Sequence, residues 1–279
     1  MATLPLAGTA GLITGGGSGI GLGCAQRLVR DGASVTLMGR TEARLRAAAD
    51  ALAADAPEGV SIDISVGDAQ SEDDIAAAVA IATKATGGLD QAVASAGTGG
   101  LGPVIALPLE EWRRVIDTNL TGTFLTLKHA AGAMGRSGGG SFVAISSIAA
   151  PLTHPYMSAY CVSKAGIETL VRNAADELGR AGVRVNAVRP GLVPTELADP
   201  LVADAQVEAD YLAQMPLGRL GTVDDIAAAV RYLLGPESSW VTGQVLGVDG
   251  GHTLRRGPDV EHWARALYGD AAVDGVIPT

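Results

Sequence analysis

Tyr160 and Lys164 stand four residues apart in the segment AYCVSKAG, so on a helix both side chains leave one face within reach of each other. A free phenol keeps its proton up to a pKa of about 10, and to exchange it near neutrality its anion must be stabilised by about 3 pKa units, or about 4 kcal/mol. A neighbouring ammonium supplies part of that. The pair is therefore a candidate acid and base, although tyrosine and lysine at this spacing also occur on solvated helix faces. Tyr156 competes for the role, but the residue four positions on is Tyr160 and not a lysine, so Tyr156 is read as pocket lining. A second signal lies near the start, where Thr14-Gly15-Gly16-Gly17-Ser18-Gly19-Ile20-Gly21 follows an apolar run and precedes the helical stretch LGCAQRLVRDG. A glycine-rich turn between strand and helix lets backbone N–H groups approach a pyrophosphate, with the helix N-terminus adding partial positive charge. The plain alternative is a flexible turn.

These residues need a scaffold that carries strand ends to one place. Apolar runs at about 10–13, 34–38, 60–66, 89–94, 141–145, 183–188 and 244–248 alternate with longer segments of helical period. Runs such as SVTLM and VRVNAV are apolar nearly throughout, as happens when helices cover both faces of a parallel sheet. An α/β fold with a doubly wound parallel sheet of about seven strands follows. Ser71 with Asp74, and Thr222 with Asp225, each precede an alanine-rich run and match a capping box, predicting helices near 72–86 and 223–234. No linker or repeat divides the chain, so residues 1–251 read as one domain, followed by a polar tail over 252–279.

Composition excludes several partners. The 279 residues are 47% hydrophobic and 18% charged, which describes a packed globular protein. Twenty basic against thirty acidic side chains give a net charge of -10, which repels nucleic acid and anionic membrane surfaces. The apolar start MATLPLAGTAGLITGGG lacks the basic flank of a secretion signal and reads as a first strand. Cys24 and Cys161 lack CxxC spacing, which fits a reduced cytoplasmic protein with neither a disulfide framework nor a metal site.

The turn is not GxGxxG. Its TGxxxGxG pattern, with Gly15, Gly19 and Gly21 at i, i+4 and i+6, resembles the classical short-chain dehydrogenase/reductase family, and the chain to about 251 can be laid over that family without large gaps, resembling its 3-oxoacyl-ACP reductase-like members about as closely as its sugar, steroid and xenobiotic reductases. The resemblance implies a Rossmann-type NAD(P)-dependent oxidoreductase acting on CH–OH and C=O groups. Ser147, thirteen residues before Tyr160, and Asn119 in WRRVIDTNLTGTF complete the family's Asn, Ser, Tyr and Lys tetrad in order and spacing. By that resemblance Tyr160 moves the proton of the substrate oxygen, Ser147 holds the same oxygen, Lys164 binds the nicotinamide ribose and lowers the tyrosine pKa, and Asn119 holds a water leading from Lys164 to solvent. Ser146 is left to structure.

The cofactor contacts implied are Gly15, Gly17, Ser18, Gly19, Ile20 and Gly21 around the phosphates, with Asp68 and Ala69 at the adenine. Gly97 lies at the close approach after the fourth strand, and Pro190, Gly191, Val193 and Thr195 at the nicotinamide end, together with Tyr160 and Lys164. The segment Ala94-Ser95-Ala96-Gly97 departs from the family's Asn-Asn-Ala-Gly, so the first asparagine's bonds must be replaced or lost. An NAD-preferring site carries an acid at the end of the second strand; here Met38-Gly39-Arg40 places a cation where NADP(H) carries its 2'-phosphate. NADP(H) is favoured, with NAD(H) still possible.

Residues 196–216 read as a substrate lid, mostly apolar and acidic. With Leu101, His154, Met157 and Leu192 they imply a medium-sized, neutral, largely apolar small-molecule carbonyl or alcohol substrate, His154 being a loop residue and not a second acid. The last helix and strand resemble the part of the family that assembles dimers and tetramers, so a homo-oligomer, dimer or homotetramer, is expected. Trp263 and Leu267 are spaced for one helix face in a tail that either covers a neighbouring subunit or trails in solvent. A non-catalytic NADP(H)-binding sensor or scaffold on the same fold is the competing reading; the intact tetrad speaks against it.

Overall fold

The computed structural model describes residues 4–255 and 257–276. Seven strands, β1 (Ala10–Thr14), β2 (Ser34–Gly39), β3 (Ile62–Val66), β4 (Gln91–Ala94), β5 (Gly140–Ile145), β6 (Val183–Pro190) and β7 (Val245–Val248), form one sheet in the order β3-β2-β1-β4-β5-β6-β7. Every neighbouring pair is parallel. The strand order reverses beside β1, where the chain first steps out to β2 and β3 and then returns to β4. Such a switch point opens a crevice at the carboxyl ends of the strands.

The helices are α1 (Gly19–Arg30), α2 (Glu42–Ala53), α3 (Glu72–Lys84), α4 (Leu109–Ile116), α5 (Gly122–Arg136), α6 (Ser158–Leu178), α7 (Asp199–Ala203), α8 (Ala205–Gln214), α9 (Val223–Leu234), α10 (Glu261–Tyr268) and α11 (Asp270–Val273). Alternate strand residues face opposite layers. Leu12, Ala92 and Phe142 pack with α3, α5 and α6, while Ile13, Val93 and Val143 pack with α1, α2 and α9. Both faces are therefore dry, which is why the strands read as unbroken apolar runs.

The two helix starts differ. Thr222 and Asp225 form the full capping box. At Ser71 only half is made: its Oγ accepts from Asp74 N at 3.3 Å, but the Asp74 carboxylate turns away and accepts from Asp68 N at 2.8 Å. That turn fixes the Gly67–Asp68 backbone beside the crevice, and α3 stops at Lys84, two residues short of expectation.

The tail folds back on the lid of its own chain, where fully buried Val260 joins Ile148, Leu192, Val207, Tyr211 and Met215 in a third apolar cluster. Trp263 packs there, whereas Leu267 stays 67% exposed, so the two do not share a buried face. Lid and tail are also tied by polar contacts. Asp204 caps α8 by accepting from Gln206 N and Val207 N and accepts further from the His262 and Trp263 rings, while the Tyr268 hydroxyl donates to Leu101 O at 2.6 Å.

Candidate active site

A cleft of about 460 Å³ opens at the switch point, between the carboxyl ends of β1, β2, β4, β5 and β6 and the lid. Its floor at one end is the glycine turn. Gly15 has φ +67°, and a Cβ there would lie 2.9 Å from Ala96 N; a Cβ on Gly21 would lie 2.3 Å from Gly15 O. Only hydrogen fits at either position, because the turn is pressed against the segment after β4 on one side and against α1 on the other. Ser18 precedes α1 in an extended conformation and its side chain makes no capping bond, so the first-turn N–H groups lack an internal partner. Gly17, Ser18, Gly19 and Ile20 line the cleft there. The donors of a helix N-terminus, open to the cleft, fit an anionic pyrophosphate.

The missing asparagine is partly replaced by Thr14. Its Oγ1 accepts from Ser95 N at 3.3 Å and Ala96 N at 3.5 Å, pinning the chain after β4 to the end of β1. Asp68 and Ala69 line the cleft beyond β3, and Arg40 is exposed at its rim with no partner among the described residues. Sequence reasoning missed Arg44, one turn into α2, which also lines the cleft and pairs with Glu196 at the lid's entry at 2.6 Å. Pro190, Gly191, Val193 and Thr195 line the opposite wall, with Thr195 Cγ2 against Gly19.

At the far end of the cleft lie Ser147, Tyr160 and Lys164. Ser147 follows β5, Tyr160 and Lys164 sit in the first two turns of α6, and a Ser147 hydrogen bond to Tyr160 favours the phenolate. Burial works the other way and pushes the Tyr160 phenol up. Lys164 Nζ lies 5.6 Å from the Tyr160 ring centroid and donates to Ile145 O at 2.9 Å. Burial brings its ammonium down to about 8. The group that lowers the phenol is Ser147 and not Lys164, and burial outweighs it.

Asn119 and Gly21 are the two expected site residues that do not line the cleft. Asn119 is wholly buried in a π-helical turn, Asp117–Thr121, between α4 and α5. Its Oδ1 accepts from Thr98 N at 2.7 Å, and its Nδ2 donates to Thr98 O and Ser163 Oγ, each at 3.0 Å. A Cβ added at Gly97 would lie 3.3 Å from Asn119 Oδ1 and 3.8 Å from Lys164 Nζ, so Gly97 is wedged between the two. Leu101 and Tyr156, expected in the pocket, are not in the cleft wall: both pack into the lid and tail cluster, and Tyr156 borders Gly257, Pro258 and Asp259. The tail that covers them could not be placed from sequence periodicity.

One organising group carried no sequence signal. Ser146 Oγ donates to Glu168 Oε1 at 2.8 Å, and buried Glu168 also receives Arg189 Nε and Nη2, each at 2.8 Å. This triad locks the end of β5, the middle of α6 and the end of β6 together, so the three segments that bear Ser147, Tyr160 and Pro190 cannot slide. Removing one partner of such a buried pair costs about 3–5 kcal/mol. Ser146 also lines the cleft, with its hydroxyl held by Glu168.

Among the described residues there is no group of three or more His, Cys, Asp or Glu placed to hold a metal, and no helix long and apolar enough to cross a membrane. A family profile described as Enoyl-(Acyl carrier protein) reductase matches residues 15–253. The chain is 39% identical over 247 residues to 2-(S)-hydroxypropyl-CoM dehydrogenase 3 of Xanthobacter autotrophicus, covering 86% of this chain and 95% of that one. It is 37% identical over 243 residues to cis-4-hydroxycyclohexanecarboxylate dehydrogenase of Sinomonas cyclohexanicum, covering 87% and 95%. A solved short-chain type dehydrogenase/reductase from Mycobacterium ulcerans superposes with a TM-score of 0.94 at 44% identity, over 98% of this chain and 100% of that one. A 7 alpha-hydroxysteroid dehydrogenase complexed with NADH and 7-oxo glycochenodeoxycholic acid superposes with a TM-score of 0.84 at 33% identity, over 89% and 96%.

Proposed function

The chain belongs to the short-chain dehydrogenase/reductase family and is an oxidoreductase acting on CH–OH groups with NAD(P), and we propose that it interconverts a neutral, largely apolar secondary alcohol and its ketone with NADP(H), using Tyr160 as the acid and base. The observation that carries this reading is the convergence of Ser147, Tyr160 and Lys164 at one end of a cleft whose other end is an uncapped helix N-terminus.

The bound nicotinamide cofactor would accept or donate the hydride at the substrate carbon and, when oxidised, bring a positive ring to the site. In the oxidation direction Tyr160 would take the proton of the carbinol O–H, whose bonding pair stays on oxygen and forms C=O, while the C–H pair would leave as the hydride that the cofactor supplies the chemistry to accept. Ser147 holds that oxygen, an oxyanion-type contact. Lys164 would hold the ribose, and it keeps a positive charge near the phenol while it stays protonated, below about 8. Since burial raises the phenol, oxidation is favoured as pH rises and reduction as it falls. Asn119 lies across Gly97 from Lys164 and holds that segment by its bonds to Thr98.

Arg40 at the rim, unpaired among the described residues, supports a 2'-phosphate contact and hence NADP(H) over NAD(H). The substrate half holds Ile148, Met157, Leu192, Leu197 and Leu201, which supports an apolar substrate. Residues 1–251 serve as the catalytic unit with its lid, and 252–279 as an extension of it. Exposed Trp240, Tyr232 and Leu246 around the edge strand β7 support assembly into a homo-oligomer. The free thiols Cys24 and Cys161 are in keeping with a reducing, cytoplasmic setting. The test is oxidation of cyclohexanol, cyclohexanediols and 4-hydroxycyclohexanecarboxylate, with reduction of the matching ketones, each with NADP(H) and NAD(H). Turnover that prefers NADP(H) and disappears in Tyr160→Phe is expected; turnover that survives the substitution removes Tyr160 from the reaction.

A further inference from the structure

Two buried polar side chains in the substrate half have no part in the reaction just described. Tyr211, on α8 of the lid, is 4% exposed and lines the cleft. Its ring stands edge-on to His252 of the C-terminal segment, with centroids 5.4 Å apart at 73°. Its hydroxyl has no hydrogen-bond partner among the described residues, and the Tyr160 phenol is near enough to act on it electrostatically. Burial pushes the Tyr211 phenol up, so at neutral pH it keeps its proton and can donate. The hydroxyl is not sealed away from the cleft, so it is free to donate to a ligand there.

His154, in the segment between β5 and α6, is 5% exposed and lines the same cleft. Its Nδ1 lies 3.1 Å from Leu152 O. A carbonyl only accepts, so Nδ1 carries the hydrogen; burial keeps the ring neutral, and Nε2 is then an acceptor with no protein partner among the described residues. The Nδ1 and Cε1 edge faces Gly257 of the tail. His252 neighbours both residues, through the ring contact with Tyr211 and through its influence on His154.

Both residues line one cleft and each adjoins His252, and an acceptor and a donating phenol on one cleft wall are the complement of a hydroxyl group, whose O–H reaches the imidazole while its oxygen receives the phenol proton. We propose that His154 and Tyr211 form a second polar subsite, so that the substrate is a neutral diol or hydroxyketone carrying one hydroxyl besides the reacting oxygen. A carboxylate does not fit. It offers no proton to Nε2, Glu196 is the lid carboxylate in the cleft wall, and Lys164 is the one cation on the substrate side of the cleft among the described residues. This inference rests on the alcohol dehydrogenase reading of the preceding subsection and names its substrate class.

The experiment compares kcat and KM for cyclohexanol, cyclohexane-1,3-diol, cyclohexane-1,4-diol and 4-hydroxycyclohexanecarboxylate in the full chain, in Tyr211→Phe and in His154→Gln, with thermal melting of each variant. The expected result is a kcat/KM for one diol about tenfold above that for cyclohexanol, and a loss of most of that ratio in each variant through KM, the size expected for one neutral hydrogen bond. Tyr211→Phe removes a single oxygen and leaves the ring against His252, so it decides the matter if His154→Gln does not fold. A wild-type enzyme that oxidises cyclohexanol at least as well as both diols, or prefers the carboxylate, overturns the subsite and leaves the dehydrogenase reading standing. Variants that lower all alcohols equally overturn it too. No turnover of any of them with either cofactor overturns both readings.

Discussion

The two halves of the cleft are built on different principles. The cofactor half is made of backbone: a turn in which Gly15 and Gly21 admit no Cβ, a helix start without a side-chain cap, and strand ends locked by the Glu168 triad. The substrate half is made of side chains on short helices, α7 and α8, held by a tail that contributes Val260, His262, Trp263 and Tyr268. Backbone geometry tolerates almost no substitution, whereas a side-chain roof can be repacked while the floor stays the same. Chemistry belongs to the first and selection to the second, and substitutions in each should change different kinetic constants.

The sharpest break should come from Tyr160→Phe, which keeps the ring and removes the proton carrier. Loss of general acid and base catalysis predicts a fall in kcat of about 10²–10⁴. NADPH affinity, followed by quenching of intrinsic fluorescence, should change by no more than about twofold. Next is Gly21→Ala. Its Cβ would sit 2.3 Å from Gly15 O, so the turn must open, and NADPH binding should weaken by about a hundredfold, the worth of two or three lost backbone contacts. If Gly21→Ala binds NADPH normally, the turn is not the rigid floor described above.

How far this division was legible in the sequence follows the same line. The floor was, because glycine spacing, apolar strands and the order of Asn119, Ser147, Tyr160 and Lys164 are local patterns, and the strands fall within about two residues of where the apolar runs lie. The roof was not. Leu101 and Tyr156 were expected in the pocket and are screened from it by a tail whose contacts span more than a hundred residues, such as Tyr268 to Leu101. Arg44 and Glu168 were missed for the same reason: a charge on a helix carries no local mark of a partner 152 residues away in one case and 21 in the other. Asn119 was found by resemblance, but its side chain is spent on Thr98 and Ser163, a use that only the π-turn reveals.

A smaller effect tests the roof. Deleting the chain from residue 257 onward uncovers Ile148, Val207 and Tyr211 and frees Asp204 of two of its partners. Substrate KM should rise by about tenfold, while NADPH affinity stays within about twofold. An equal loss of both would show that the tail supports the whole cleft, and the two halves would then be one.

The smallest effect concerns stability and runs against activity. Lys164 is the place where the floor gives up stability for chemistry, because burial brings its ammonium from 10.5 to about 8. A lysine whose folded value is lowered binds fewer protons folded than unfolded between those limits, so folding stability rises with pH from about 8 to 10.5. Below about 8 the charged lysine is carried into the folded state at a cost of about 3 kcal/mol at most. Lys164→Met removes that cost and leaves Ile145 O without its donor, a loss of about 1 kcal/mol. At pH 7 the inactive variant should therefore melt a few degrees above the wild type, and the gap should close as pH is raised toward 10. Calorimetric melting of both proteins across that range reads it directly, and a gap that does not change with pH would mean that Lys164 keeps an ordinary lysine's proton affinity in the fold.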